Sequence, residues 1–257
     1  MYNSHGFLVE NLMKLNIAQP NEFASLLLLK KQEDMIRNFM FMNFLSSNKF
    51  NKVLPYPDWK PRSHVKHDCV LLTFNKFKEF TPTSIIELKF AHSPFILDKR
   101  FEPISDESRR QDSVWIEGFT SKSRRTGIKA DLDRMIITAK DIHQDFGIIP
   151  SIHQVLVIAF PKTTIEKFDF PIHVDYSKHN DYLNISYTNS DHYLNEIKAV
   201  ITAQFSLLSD TYFPNINFKS EFCTLPIGKA FQKIDVDILF FVVSSNLENL
   251  EIDKQTK

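Results

Sequence analysis

The chain has 257 residues, room for one large domain or one domain with an appendage, and 43% of them are hydrophobic, with 24 Phe to fill a core. Its 31 basic and 31 acidic residues cancel, which argues against an evenly basic protein that coats nucleic acid and leaves room only for a local basic cleft. Five glycines, with no phosphate-binding loop and no dinucleotide fingerprint, exclude ATP-driven and nicotinamide-dependent chemistry, so no nucleotide cofactor is expected.

In chain order, Pro20-Asn21 opens a predicted helix that runs to about Ser46. Phe23, Leu26, Leu27, Ile36, Phe39, Met40 and Phe44 keep helical spacing and leave Lys30, Glu33 and Arg37 on another side. The prolines of Asn51–Trp59 permit only a short or edge strand. Asp68–Phe74 and Ser84–Ala91 are short apolar runs separated by the polar stretch Asn75–Pro82, the pattern of a hairpin. A long polar segment from His92 to about Thr126 follows. Gly127 then precedes a second helix from Ile128 to about Gln144, with Leu132, Met135, Ile136 and Ala139 as its buried stripe. Ser151–Phe160 is nearly all apolar, as a central strand buried on both faces requires. Farther on, Tyr182–Tyr187 and Val236–Val243 read as strands and Asn195–Leu208 as a helix. The expected division is a core over 1–162 and, over 163–257, an extension of the same sheet or a small subdomain.

The hairpin carries the chemistry. Antiparallel partners sum to a constant, so a turn centred near residue 78 sets Asp68 opposite the Glu87–Lys89 region. Strand alternation places Glu87 and Lys89 on one face and Ile86, Leu88 and Phe90 on the other. The apolar face has a core role. The charged face has none, because ionised groups in the middle of an apolar strand are costly unless paired or metal-bound. Two carboxylates supply hard oxygen ligands for Mg²⁺, with Mn²⁺ able to substitute, and a lysine beside the ion orients or deprotonates an attacking water. The Leu88 carbonyl, between the two side chains, is a further candidate ligand.

Asp68 followed by Glu87-x-Lys89 on the next strand resembles the PD-(D/E)xK nuclease superfamily, which includes many restriction endonucleases. The order helix, three strands, helix, strand over roughly residues 21–162 is similar to that family's core. The resemblance implies an α/β fold with a central mixed sheet flanked by helices and a C-terminal α+β extension. It implies that Asp68 and Glu87 bind Mg²⁺ and that Lys89 serves the water. A first-helix glutamate that reaches the metal maps onto Glu33, with Glu22 as fallback, and Lys129-Ala130-Asp131-Leu132 to Arg134 resembles the helix that follows the E-x-K strand. The literal Pro-Asp pair, Pro57-Asp58, lies ten residues before Asp68. Trp59 and Pro61 follow it closely, so Asp68, preceded by His67, is the chosen acid.

Each feature has a plainer counterpart. E-x-K alone occurs by chance in many chains, and Glu87 with Lys89 would then be a surface ion pair of little energetic weight. The loop Gly118–Ala130 carries Lys122, Arg124, Arg125 and Lys129 with no acid before its end, and either clamps phosphates or is solvated. Arg109-Arg110 is diluted by Asp106, Glu107 and Asp112. His64, His67 and His92 form no closed zinc set and are weighed as substrate contacts; Trp59 and Trp115 suit surface packing better than DNA. Cys69 and Cys223 stand in no metal spacing, and Cys69 reads as a buried thiol in a reducing compartment.

No leader pattern is visible at the N-terminus, and no apolar segment approaches the roughly 18 residues of a membrane span, so a cytoplasmic protein without a membrane partner is expected. The function expected is a Mg²⁺-dependent endodeoxyribonuclease of restriction type. DNA is the partner, and a homodimer follows from family analogy alone. Its rivals are an inactive nuclease-fold subunit that binds DNA or assembles with other chains, and a transposon or repair nuclease.

Overall fold

A computed structural model describes residues 4–29, 32–46, 53–59, 66–74, 80–92, 127–162 and 190–247. It is mixed α/β, with five helices and one six-stranded mixed sheet among the described residues. The helices are α1 (Ser4–Leu12), α2 (Pro20–Leu29), α3 (Glu33–Ser46), α4 (Ile128–Phe146) and α5 (Ser190–Tyr212). The strands are β1 (Val53–Trp59), β2 (His67–Phe74), β3 (Phe80–His92), β4 (Ser151–Pro161), β5 (Lys219–Ala230) and β6 (Ile234–Ser245).

The sheet order is β1-β2-β3-β4-β6-β5. Only β3 and β4 are parallel, joined through α4, and every other pair is antiparallel. The prolines of β1 are accommodated because it lies at an edge. β4, between β3 and β6, is buried from Ile152 to Pro161, as its unbroken apolar run demands. β6 lies beside β4, so residues 234–245 continue the sheet, and β5 forms the opposite edge. No helix among the described residues is long and apolar enough to cross a membrane.

Three differences from the sequence reading bear on the site. The expected helix Pro20–Ser46 is two helices, α2 and α3. Both keep the same apolar spacing, and Phe23 meets Phe39 edge-on at 5.1 Å between ring centroids. Glu33 therefore opens a helix, where an acidic side chain suits the positive end of the backbone dipole. Second, α1 was not expected. Seven of its nine residues are buried, so it has no polar stripe to betray a helical period. Third, β5 was not expected, because Pro226 and Gly228 interrupt its run. The strand Tyr182–Tyr187 lies outside the described residues.

α4 packs on β3 and β4, and α3 on β1 and β3. At its C-terminus Gly147 adopts the left-handed conformation (φ 68°) and its N–H donates to the His143 carbonyl at 2.9 Å, closing the last turn.

Candidate active site

The β2–β3 ladder ends with Cys69 opposite Ile86. Continued by one residue, this register sets Asp68 across from Glu87, within the Glu87–Lys89 region that the spacing predicts. The β1–β2 register, with Pro57 opposite Cys69 and Trp59 opposite His67, sets Asp58 across from Asp68 on the other side.

Past Cys69 the β2 ladder stops while β3 continues to His92. The β3 amides on that edge need other acceptors, because a buried N–H left unpaired is costly. Two carboxylates supply them. Leu88 N–H donates to Asp68 Oδ2 at 2.8 Å, and Phe90 N–H donates to Glu33 Oε2 at 3.0 Å. Strand geometry thus draws Asp68 and Glu33, from two different elements, to the same stretch of β3.

Glu87 is buried. Its Oε1 lies 2.6 Å from His67 Nδ1, and His67 Nε2 lies 2.8 Å from Thr138 Oγ1 on α4. Burial first, and then the charge of Arg134, lower the His67 pKa to about 4, against the opposing pull of Asp68. The ring is neutral at pH 7, so one nitrogen donates and the other accepts. With Glu87 ionised, Nδ1–H donates to the carboxylate and the Thr138 hydroxyl donates to Nε2. Burial, and then the negative charges of Asp68 and Asp131, push the Glu87 carboxyl well above the usual carboxylate range, with Arg134 acting in the opposite sense. On the β4 side, the Gln154 side-chain amide donates to the Glu87 carbonyl at 3.3 Å.

Lys89 Nζ is 3.0 Å from Asp131 Oδ2 on α4, and Arg134 pairs with the other oxygen of the same fully buried carboxylate. Burial alone lowers the Lys89 pKa, but Asp131, by charge and hydrogen bond, and then Glu33 and Glu87 carry it above the ordinary lysine value. For Asp131, burial raises the carboxyl pKa against the pull of Lys89 and Arg134. Two cations flank the single carboxylate, so we take both Lys89 and Asp131 as ionised at neutral pH. Asp68 Oδ1 is met by Arg37 Nη1 at 3.1 Å, while Arg37 Nη2 reaches Asp34 Oδ1 at 2.9 Å.

The structure therefore brings Asp68, Glu87, Lys89 and Glu33 into one electrostatic cluster. Of the basic residues of the Gly118–Ala130 loop, Lys122, Arg124 and Arg125 lie outside the described residues. Lys129 pairs with Asp133 at 2.6 Å and stands 5.0 Å from the centroid of the Tyr212 ring. His64, Trp115 and the side chains of His92, Asp58 and Trp59 are also outside the description. Among the described residues, no group of three or more His, Cys, Asp or Glu is placed to hold a metal ion. Asp68 and Glu87 are two, which matches Mg²⁺ sites built from one or two carboxylates completed by water and phosphate.

Sequence reasoning underrated His67, Thr138 and Arg37. His67 adjoins Asp68, and Arg37 lies one helical turn beyond Glu33. Both positions carry a spacing signal that a search for acids alone overlooks. No family model, curated protein or solved structure matches the chain.

Proposed function

We propose that the chain is a Mg²⁺-dependent endonuclease that hydrolyses DNA phosphodiester bonds, of restriction type and cytoplasmic, on a restriction-endonuclease-like core formed by α3, β1–β3, α4 and β4. One observation carries this reading. Two carboxylates, part-buried Asp68 and buried Glu87, are set against each other beside a charged lysine, and burial together with the neighbouring negative charges raises the Glu87 carboxyl pKa. Such groups concentrate where chemistry needs them. Two adjacent hard anions fit a divalent cation, and the Leu88 backbone, on the Asp68 edge of β3, offers its carbonyl as a further ligand.

The chemistry such an ion supplies when bound is acidification of a water and neutralisation of phosphate charge. The residues of the chain do the rest. Lys89 stays an ammonium, so it orients the attacking water and stabilises charge on the phosphate; it does not remove the proton. As the water oxygen bonds to phosphorus, the water gives up its proton to solvent, the phosphorus bond to the leaving oxygen breaks, and that oxygen takes up a proton from solvent. Asp131, itself paired with Arg134, fixes Lys89, and His67 fixes Glu87. Glu33 completes the site from α3. Lys122, Arg124, Arg125 and Lys129 hold the DNA backbone, and a homodimer supplies two sites for two strands. Mn²⁺ substitutes for Mg²⁺.

One observation favours a second reading, a nuclease-fold subunit without activity: Arg37, Leu88 N–H and His67 already engage three of the four carboxylate oxygens of Asp68 and Glu87. Plasmid DNA incubated with Mg²⁺ and the wild type, Glu87→Ala or Lys89→Ala separates the two. The nuclease reading expects cleavage by the wild type alone. No cleavage and no metal-dependent DNA binding by the wild type would sink it, and variants that cut as well as the wild type would sink the site assignment. Discrete fragments favour a restriction role, and smearing favours repair or degradation.

A further inference from the structure

Three cationic side chains among the described residues, Lys89, Arg134 and Arg37, lie around the Asp68–Glu87 pair, and their partners differ in kind. Lys89 and Arg134 both pair with Asp131, which takes no part in the carboxylate pair. Arg37 pairs with Asp68 itself, at 3.1 Å, and both side chains are largely buried, at 19% and 17% exposure. Its second contact runs outward, to Asp34 one turn back on α3, which is 83% exposed. One guanidinium thus joins the floor of the site to its surface.

A divalent ion and a guanidinium compete for Asp68. The remaining oxygen is taken by the Leu88 amide, and two cations against one carboxylate repel each other strongly where water is scarce. When Arg37 leaves Asp68, exposed Asp34 still holds it at the surface. Guanidinium presents a planar fork of donors that matches two phosphate oxygens, a fit that an ammonium lacks. Arg37 is also on the same helix face as Glu33, four residues before it.

We propose that Arg37 is a phosphate-binding residue of this site, parked on Asp68 until a divalent cation takes the carboxylate and then turned to the DNA backbone. This rests on the nuclease reading above. It makes Arg37 a stand-in for the ion in the empty protein and a substrate contact in the loaded one. The two roles predict effects of opposite sign for one substitution, which a purely structural salt bridge does not.

The test uses the full chain, Mn²⁺ as probe, and Arg37→Met and Arg37→Lys. Mn²⁺ binding without DNA is read from the electron-paramagnetic-resonance signal of the free ion, and turnover from nicking of supercoiled plasmid at saturating Mn²⁺. Arg37→Met is expected to bind Mn²⁺ about three- to tenfold more tightly, because the competitor is gone. It is expected to turn over about 10- to 100-fold more slowly, because a charge-assisted contact is lost. Arg37→Lys keeps the competitor and loses the fork: Mn²⁺ affinity stays within about twofold and turnover falls about tenfold. Wild-type turnover in either variant overturns the proposal, as does Mn²⁺ binding by Arg37→Met that is no tighter than wild type. Should Arg37→Met not fold, turnover of Arg37→Lys decides alone. If the wild type neither nicks DNA nor binds Mn²⁺ better than Glu87→Gln, the nuclease reading fails and takes this inference with it. Cleavage by the wild type with equal cleavage by the variants removes Arg37 only.

Discussion

Replacing Glu87 by Gln is expected to make the metal-free protein more stable while abolishing its activity. The side chain is 5% exposed, so water screens little of the repulsion from Asp68 and Asp131 that raises its pKa. Gln keeps the shape and still accepts from His67 Nδ1–H, so the change removes charge and little else. An uncompensated buried polar group costs about 1–3 kcal/mol and a charge costs more, and each kcal/mol moves Tm by about 2–4 °C in a chain of this size. The variant should therefore melt several degrees above wild type in EDTA at pH 8. The pH dependence has a definite sign. A carboxyl whose folded pKa is raised above its unfolded value leaves the fold undisturbed below about 4.5 and destabilises it as pH climbs to the raised value. The Tm gap should be small at pH 4.5, widen with rising pH, and level off. Mg²⁺ should then close the gap by stabilising wild type, by about 2.7 kcal/mol at a hundredfold excess over Kd, and leave Glu87→Gln unmoved. Differential scanning calorimetry across that range checks all of this. A variant that melts below wild type at pH 8, or a gap indifferent to pH, would refute the reasoning.

Three other outcomes are expected. Lys89→Met leaves Asp131 with Arg134 alone; it should destabilise the fold by about 1–3 kcal/mol in a denaturant titration and lower kcat by about 100- to 1,000-fold. His153 is lowered to about 3 by burial and then by the charge of His5, so its contribution is complete above the ordinary histidine value of 6.5 and is lost as pH falls toward 3. At most about 5 kcal/mol of stability goes in that window, and His153→Leu should shift the acid-unfolding midpoint downward and take up one proton fewer. Gly228→Ala sets a Cβ 2.6 Å from Asn21 Oδ1, with the Pro20 and Asn21 backbone just beyond; it should weaken the α2–β5 contact and destabilise by about 1–3 kcal/mol in chemical melts.

Much of the site was legible because strand rules are arithmetic. The turn centre set Asp68 against the Glu87–Lys89 region, and the strand register narrows this to Glu87 despite a bulge between Leu71 and Leu72. The buried central strand β4 was legible from its composition alone. The break between α2 and α3 was not, because two packed helices repeat one apolar spacing. That break matters, since it puts Glu33 at a helix start, from which its carboxylate reaches Phe90 N–H. Neither the His67–Thr138 support nor the Arg37 bridge was legible, because each joins residues far apart in the chain: 71 residues in the first case and 31 in the second. Hydrogen bonds between distant polar side chains leave no periodic trace. α1 and β5 escaped for the opposite reason: one is buried almost all round, and the other mixes polar residues with Pro226 and Gly228.

The most direct test of the central claim is the rate of supercoiled-plasmid nicking against Mg²⁺ concentration, for wild type and Glu87→Gln side by side. The account predicts saturable, EDTA-reversible nicking by wild type and none by the variant, even though the variant is the more stable protein. Wild type without Mg²⁺-dependent nicking, or a variant with the same curve, would contradict it.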